Sequence, residues 1–195
     1  MSFSKACLVC LGGCSLPIAA MAQESASEPL GEVGVHYAYN SLTTSASGES
    51  IQSGGSIYGE YFFKKAGRSR LGIVADFSGS GSNSGSLYTY LAGPRFNVEW
   101  RKSHLVGYGK YKIGGAHVGV NGATPAGLEA SVTRNSFVWG FAGTGLDLLL
   151  AQHYVVTLFK ADFLNIEVPD VVSGSSHWRA DIRISAGVWF RFGQK

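Results

Sequence analysis

Three sets of residues in this 195-residue chain could do chemistry: five histidines, a run of Gly/Ser-rich turns, and a series of acids and bases on alternate positions. The histidines are His36, His104, His117, His153 and His177. They could act as general bases or metal ligands, but no pair has useful ligand spacing. Ser175-Ser176-His177, with Asp170 nearby, is the one Ser/His/acid grouping. It would serve ester or amide hydrolysis, yet it falls in a loop with little to fix a triad. Gly79-Ser80-Gly81-Ser82-Asn83-Ser84-Gly85 superficially resembles a phosphate-cradling loop. It lacks the spacing and the following Lys, so it reads as a flexible hairpin loop. The charged series is Glu32, Glu60, Asp76, Arg95, Lys110, Lys112, Asp147, Lys160, Asp162, Asp181, Arg183 and Arg191. Its chemistry is mutual ion pairing in a sheltered interior. The alternative is a narrow or gated ion path.

The elements that must position these charges are strands. From Asp181 to Phe192 the even positions are Ile182, Ile184, Ala186, Val188, Phe190 and Phe192, and the odd ones are polar except Trp189. A period of two puts the apolar set on one face and the charges on the other. Eight such strands, each near the ~9–11 residues that a tilted barrel strand needs, can be placed. They run about 32–40, 54–63, 70–79, 87–97, 105–116, 136–149, 153–166 and 181–192. The outward residues are Val33, Val35, Tyr37 and Tyr39 in the first strand, then Ile57, Gly59, Tyr61 and Phe63 in the second. Leu71, Ile73, Ala75 and Phe77 follow in the third, Tyr88, Tyr90, Ala92 and Phe96 in the fourth, and Tyr111 and Ile113 in the fifth. The seventh places Val155, Thr157, Phe159, Ala161 and Phe163 outward. In the sixth, Val138, Leu146 and Leu148 share one face while Trp139 and Phe141 share the other, and the phase chosen turns Asp147 inward. A buried helix over 146–159 is the competing reading there.

Connections alternate in length. Those at 64–69, 99–103 and 151–152 are short, and those at 41–53, 80–86, 118–135 and 167–177 are mostly longer. Short turns on one side and long loops on the other fit a membrane barrel. Aromatics then gather at two heights, with Tyr37, Tyr39, Phe77, Tyr88, Tyr90 and Phe163 near the loops. Phe63, Phe96, Trp100, Phe190 and Phe192 lie near the turns, as expected where rings sit at headgroup depth. Basic residues in the short turns, Lys64-Lys65, Arg68 with Arg70, and Arg101-Lys102, would contact anionic headgroups or be solvated.

Composition agrees. Charged residues are 15% of the chain, against about 25% in a typical soluble domain. The net charge of +3 is too mild to argue for nucleic acid. No run of 18 or more apolar residues exists, so helical spans are not expected. Residues 1–22 read as a secretory signal with Lys5, a short apolar stretch and Ala20-Met21-Ala22, which would leave a barrel domain over 23–195. Cys7, Cys10 and Cys14 all fall inside that segment, so the mature product would carry no disulfide or thiolate site. The alternative is a lipid on Cys14, since Leu11-Gly12-Gly13-Cys14 resembles a lipoprotein box.

Ser185-x-Gly187-x-x-Phe190-x-Phe192 resembles the carboxy-terminal signal that outer-membrane barrels present to their assembly machinery. Asp162-Phe163-Leu164 and the run from Arg183 to Gly193, followed here by Gln194 and Lys195, are similar to the outer membrane protein beta-barrel domain family. That family is akin to the OmpA-like small eight-stranded barrels. The resemblance implies an all-β, up-and-down transmembrane barrel in the outer membrane, inserted by the barrel assembly machinery. It implies no activity, because one fold hosts many functions.

The expectation is therefore a monomeric barrel with a structural or surface-interaction role, no catalysis, no cofactor and no metal. Its partners would be outer-membrane lipid and lipopolysaccharide, with the loops as possible binding surface. A narrow porin-like channel is the first alternative. A lipid A-modifying hydrolase is the second, although such barrel enzymes use His-x-Ser and no histidine here is followed two residues later by Ser.

Overall fold

The computed structural model describes residues 29–44, 48–100, 104–123, 129–169 and 175–193, with the side chains of 42–44, 48–50, 123, 129 and 142 left aside. The signal segment, the Cys14 alternative, Arg101-Lys102, Asp170 and the final Gln194-Lys195 lie outside these residues. The strands are β1 Gly31–Thr44, β2 Gly48–Ala66, β3 Ser69–Ser82, β4 Gly85–Trp100, β5 Leu105–Lys110, β6 Lys112–Ala123, β7 Glu129–Leu149, β8 Tyr154–Pro169 and β9 Ser176–Phe192. All neighbours run antiparallel, and β1 pairs with both β2 and β9, which closes the ring. β5 and β6 are two halves of one stave. Both pair with β4 on one side and β7 on the other, so nine segments make eight staves.

The break at Tyr111 has a local cause. Tyr111 donates its N–H to the Pro94 carbonyl at 3.1 Å, but Pro94 has no N–H to return. The register against β4 is unbroken across the gap, with Ala92↔Ile113 above and Arg95↔Lys110 below. Following partners around the ring from Glu32 passes Glu60, Val74 and Gly93, crosses to Lys112 by the same register that pairs Ala92 with Ile113 and Arg95 with Lys110, then passes Gly140, Leu164 and Asp181 and returns at Leu42. The stagger is 42 − 32 = 10 residues. A stagger of that size on eight staves corresponds to a strand tilt of roughly 35–45° and an interior that side chains just fill.

The polarity is inside out. Large apolar side chains face outward on every stave, among them Val35, Tyr39, Ile57, Phe77, Tyr90, Ile113, Phe163 and Val188. The buried set includes seven Lys and Arg residues. Both expected bands of aromatics are exposed, from Tyr37, Tyr39, Phe77, Tyr88 and Tyr90 at one end to Phe63, Phe96, Trp100, Phe190 and Phe192 at the other. A one-residue slip of β4, of the β5–β6 stave, of β8 or of β9 would turn a buried Lys or Arg toward hydrocarbon, at ~2–4 kcal/mol each near midplane. No described helix is long and apolar enough to cross a membrane, and 146–159 is two strand ends around a turn.

Two β-bulges correct the expected facing of β7 and β8. In β7 the register shifts between Phe141 and Thr144, where Gly143 takes φ +80°. Above that bulge Val138 is fully buried while Trp139 and Phe141 face out. Below it Asp147 faces in, as the chosen phase has it. In β8 the shift falls between Thr157 and Lys160, so Leu158 and Phe159 are both exposed. Val155 and Thr157 consequently point inward, the reverse of the simple alternation.

The long loops are also corrected. Pairing continues to Thr44↔Gly48, Ala123↔Glu129 and Pro169↔Ser176, so most of the expected loops 41–53 and 118–135, and both ends of 167–177, are strand. Gly79–Gly85 is not a flexible loop: Ser82 pairs with Gly85 around Asn83-Ser84. Large rings are seated over glycines of the neighbouring stave. Tyr108 lies over Gly145, Trp189 over Gly34 and His36 over Gly187 inside the barrel, and Tyr90 lies over Gly115 outside. Each is a directly opposed pair, and a side chain in place of the glycine would occupy the ring's position.

Candidate functional site

Among the described residues, charges converge in the interior, and it is layered. Near the turns, Arg191 pairs with Glu32 at 2.9 Å and Arg70 pairs with Glu99. Arg70 is therefore a buried lumen residue stacked on Phe62, not a solvated member of the basic turn. Its even position, shared with Val74 and Asp76, carries that signal.

One step further in, Arg95 is the hub. Its guanidinium bonds Asp147 at 2.9 Å, pairs with Glu60, and donates from Nε to Asn97 at 2.5 Å. Glu60 also accepts from Lys110 at 2.6 Å, and Asp147 accepts from the Thr157 hydroxyl at 2.6 Å. Thr157 in turn accepts from Trp189 Nε1 at 2.7 Å. The β8 bulge is what brings Thr157 to this position.

A layer of rings follows. His36 lies 4.7 Å from Tyr58 and 5.0 Å from Trp189, centroid to centroid. The Lys110 ammonium stands 4.7 Å from the Tyr108 ring, and Lys160 stands 3.6 Å from Tyr58. Beyond it lies a second ionic layer. Lys112 pairs with Asp76 and, at 3.6 Å, with Asp162, and Lys160 reaches Asp162 at 3.0 Å. Arg183 lies 3.8 Å from Asp76 and donates to Asn40 at 3.0 Å and Thr89 at 3.3 Å.

Nearest the loops the chemistry divides by wall. On β1–β3, Asn40, Gln52, Ser78 and Ser80 hydrogen-bond among themselves and to Thr89 of β4. On β4, β6, β7 and β8, the inward residues are Leu87, Leu91, Ala116, Val118, Val120, Val138, Leu164, Ile166 and Val168, packed as one cluster. Periodicity hid this aliphatic layer, because it lies inside the barrel where charge was expected. Asp181 is fully buried at its edge.

Among the described residues, the histidines do not assemble into a catalytic geometry. His36 is buried among rings, His117 contacts Asn135 at 2.8 Å, and His153 stacks on Phe190 and lies 3.2 Å from the Arg191 carbonyl. His177 lies 3.2 Å from the Ser175 hydroxyl, and Asp170 falls outside the described residues. No group of three His, Cys, Asp or Glu side chains among the described residues could hold a metal ion.

The carboxy-terminal motif is spread over two faces. Ser185 and Gly187 face the lumen, and Phe190 and Phe192 face out at the turn end.

Comparison with protein-family models finds no match, and comparison with curated proteins finds none either. Solved structures do match. Neisserial surface protein A is 16% identical with a TM-score of 0.60, over 83% of this chain and 97% of that one. Ail, the attachment invasion locus protein of Yersinia pestis, is 16% identical with a TM-score of 0.53, over 85% of this chain and 99% of that one. The likeness is one of fold, that of the small outer-membrane β-barrels.

Proposed function

We propose that this chain is an outer-membrane barrel with a structural or surface-interaction role and a closed, non-catalytic lumen. The observation that carries the reading is the inverted polarity: an apolar exterior around a core of paired charges. Only hydrocarbon outside makes that arrangement favourable. The fold neighbours carry the words "surface" and "attachment" in their names, which supports a role at the cell surface. OmpA-like architecture, insertion by the barrel assembly machinery and contact with lipopolysaccharide belong to the same reading.

Two layers oppose conduction. Ion pairs fill the lower lumen, and an aliphatic cluster lines one wall above them. An ion crossing would have to displace a paired partner and then shed water against Leu and Val. The test is reconstitution into planar bilayers beside fractionation of the producing cell. The reading expects the protein in the outer-membrane fraction, a faster gel mobility before boiling, and no stepwise current. Regular conductance steps that change with Asp162→Ala would replace it with the channel.

A further inference from the structure

Toward the loops the ring comes apart, and it does so unevenly. β7 pairs with β8 only from Val138↔Ile166 downward, but keeps pairing with β6 as far as Ala123↔Glu129. From Glu129 to Asn135, the β8-facing edge of β7 meets no other strand among the described residues. The direction of its backbone groups can be worked out. Asn121 donates its N–H to the Ser84 carbonyl at 2.9 Å, toward the β4 side. Its partner across the ladder, Ser131, therefore turns its own N–H and C=O away from β6. Thr133 and Asn135 share that parity, while Val132 and Arg134 bond β6. The outer face here is Ser131, Thr133 and Asn135, and the first large apolar residue is Phe137, which is exposed. The edge therefore stands above the hydrocarbon. Side chains brace its foot: Ser136 donates to the Glu167 carbonyl at 2.5 Å, and Arg134 donates to the Ser176 hydroxyl at 2.7 Å.

We propose that this edge of β7 is a docking strand that takes an extended polypeptide segment of a partner protein by backbone pairing. The proposal rests on the surface-interaction reading and says how the partner is held. The occupant follows from the groups presented: a donor and an acceptor on every second residue, about 7 Å apart, match another peptide backbone. A second copy in the same membrane does not fit an antiparallel pairing, because its β7 descends in the same direction. Arg134 on one flank selects an acidic side chain opposite it, beside an apolar one against Val132.

The experiment uses the full barrel in detergent micelles and a fluorescein-labelled nine-residue peptide of alternating Thr and Val with one Glu. A twin peptide carries N-methyl groups along one edge. Thr133→Pro removes an edge donor without touching the β6 ladder. Saturable fluorescence anisotropy with the first peptide is expected. Affinity should fall about tenfold or more with the twin or with Thr133→Pro, the loss of one or two backbone hydrogen bonds. Amide exchange at Ser131, Thr133 and Asn135 should be fast alone and slowed by the peptide, with Val132 and Arg134 slow throughout. Equal binding of the two peptides, no binding by either, or an unaltered Thr133→Pro barrel would overturn the docking edge. Heat-modifiable mobility is read on each sample. A barrel that closes but ignores the peptide refutes only the edge, whereas a chain that never closes refutes the outer-membrane reading.

Discussion

Arg95 holds two acids that no other cation fully satisfies. Glu60 keeps Lys110 if Arg95 is lost, but Asp147 keeps only the Thr157 hydroxyl. Arg95→Met should therefore destabilise the barrel by about 3–5 kcal/mol, the cost of an unpaired buried charge. Urea unfolding in micelles followed by tryptophan fluorescence would measure it, and adding Asp147→Asn should return part of the loss. An Arg95→Met protein as stable as the parent would show that the network is ornamental. Gly143 is a second sensitive point. Its φ of +80° is a left-handed value, and a Cβ there would run into the Ala161 carbonyl. Gly143→Ala should cost about 1–3 kcal/mol in the same assay. At this scale the sequence spoke clearly wherever a charge alternated with large apolar residues, as around Asp162 or Arg183. It misled at Arg70, where neighbouring lysines and Arg68 suggested a solvated cluster and parity alone said otherwise.

At the scale of the strand, the bulges decide what the lumen contains. Simple alternation read β1 to β4 and β9 without error of face, because the one residue added in their described ladders, Phe63 near the turn end of β2, still faces out. It failed on β7 and β8 because a bulge leaves no mark in a two-residue period except a contradiction. The contradiction was visible: Trp139 and Phe141 against Leu146 and Leu148, on opposite parities of one strand. One glycine, Gly143, resolves it. Deleting Phe159 would restore strict alternation in β8 with Thr157 inward, Leu158 outward and Lys160 inward, so the bonds of Thr157 to Trp189 and Asp147 should persist. We expect the deletion to keep the Trp189 emission maximum and the heat-modifiable band. A red-shifted emission would mean that the extra residue itself is needed to set Thr157. The loops were overestimated for a different reason. Ser, Gly and Asn suit turns, but they also suit strands that stand in water above the bilayer, where neither face needs to be apolar.

For the whole molecule, architecture was legible because lipid imposes one rule on every stave, and the rule repeats eight times. The layering of the interior was not, since it depends on which residues the ten-residue stagger brings to one height. That layering predicts a barrel without current. It also predicts lipid A mass spectra that do not differ between cells with and without the protein, and a new lipid A species dependent on His177 would restore the hydrolase alternative. The wall itself has one missing rung. Opposite Pro94, the Tyr111 carbonyl receives no amide hydrogen from β4, in a stretch where Tyr111 and Ile113 face outward. Nearly every other peptide carbonyl in the lipid-embedded wall is polarised by a neighbour. Isotope-labelled at that single carbon, Tyr111 should absorb in the infrared at a higher frequency than its labelled counterparts elsewhere, a vibrational beacon fixed in the bilayer by one imino acid.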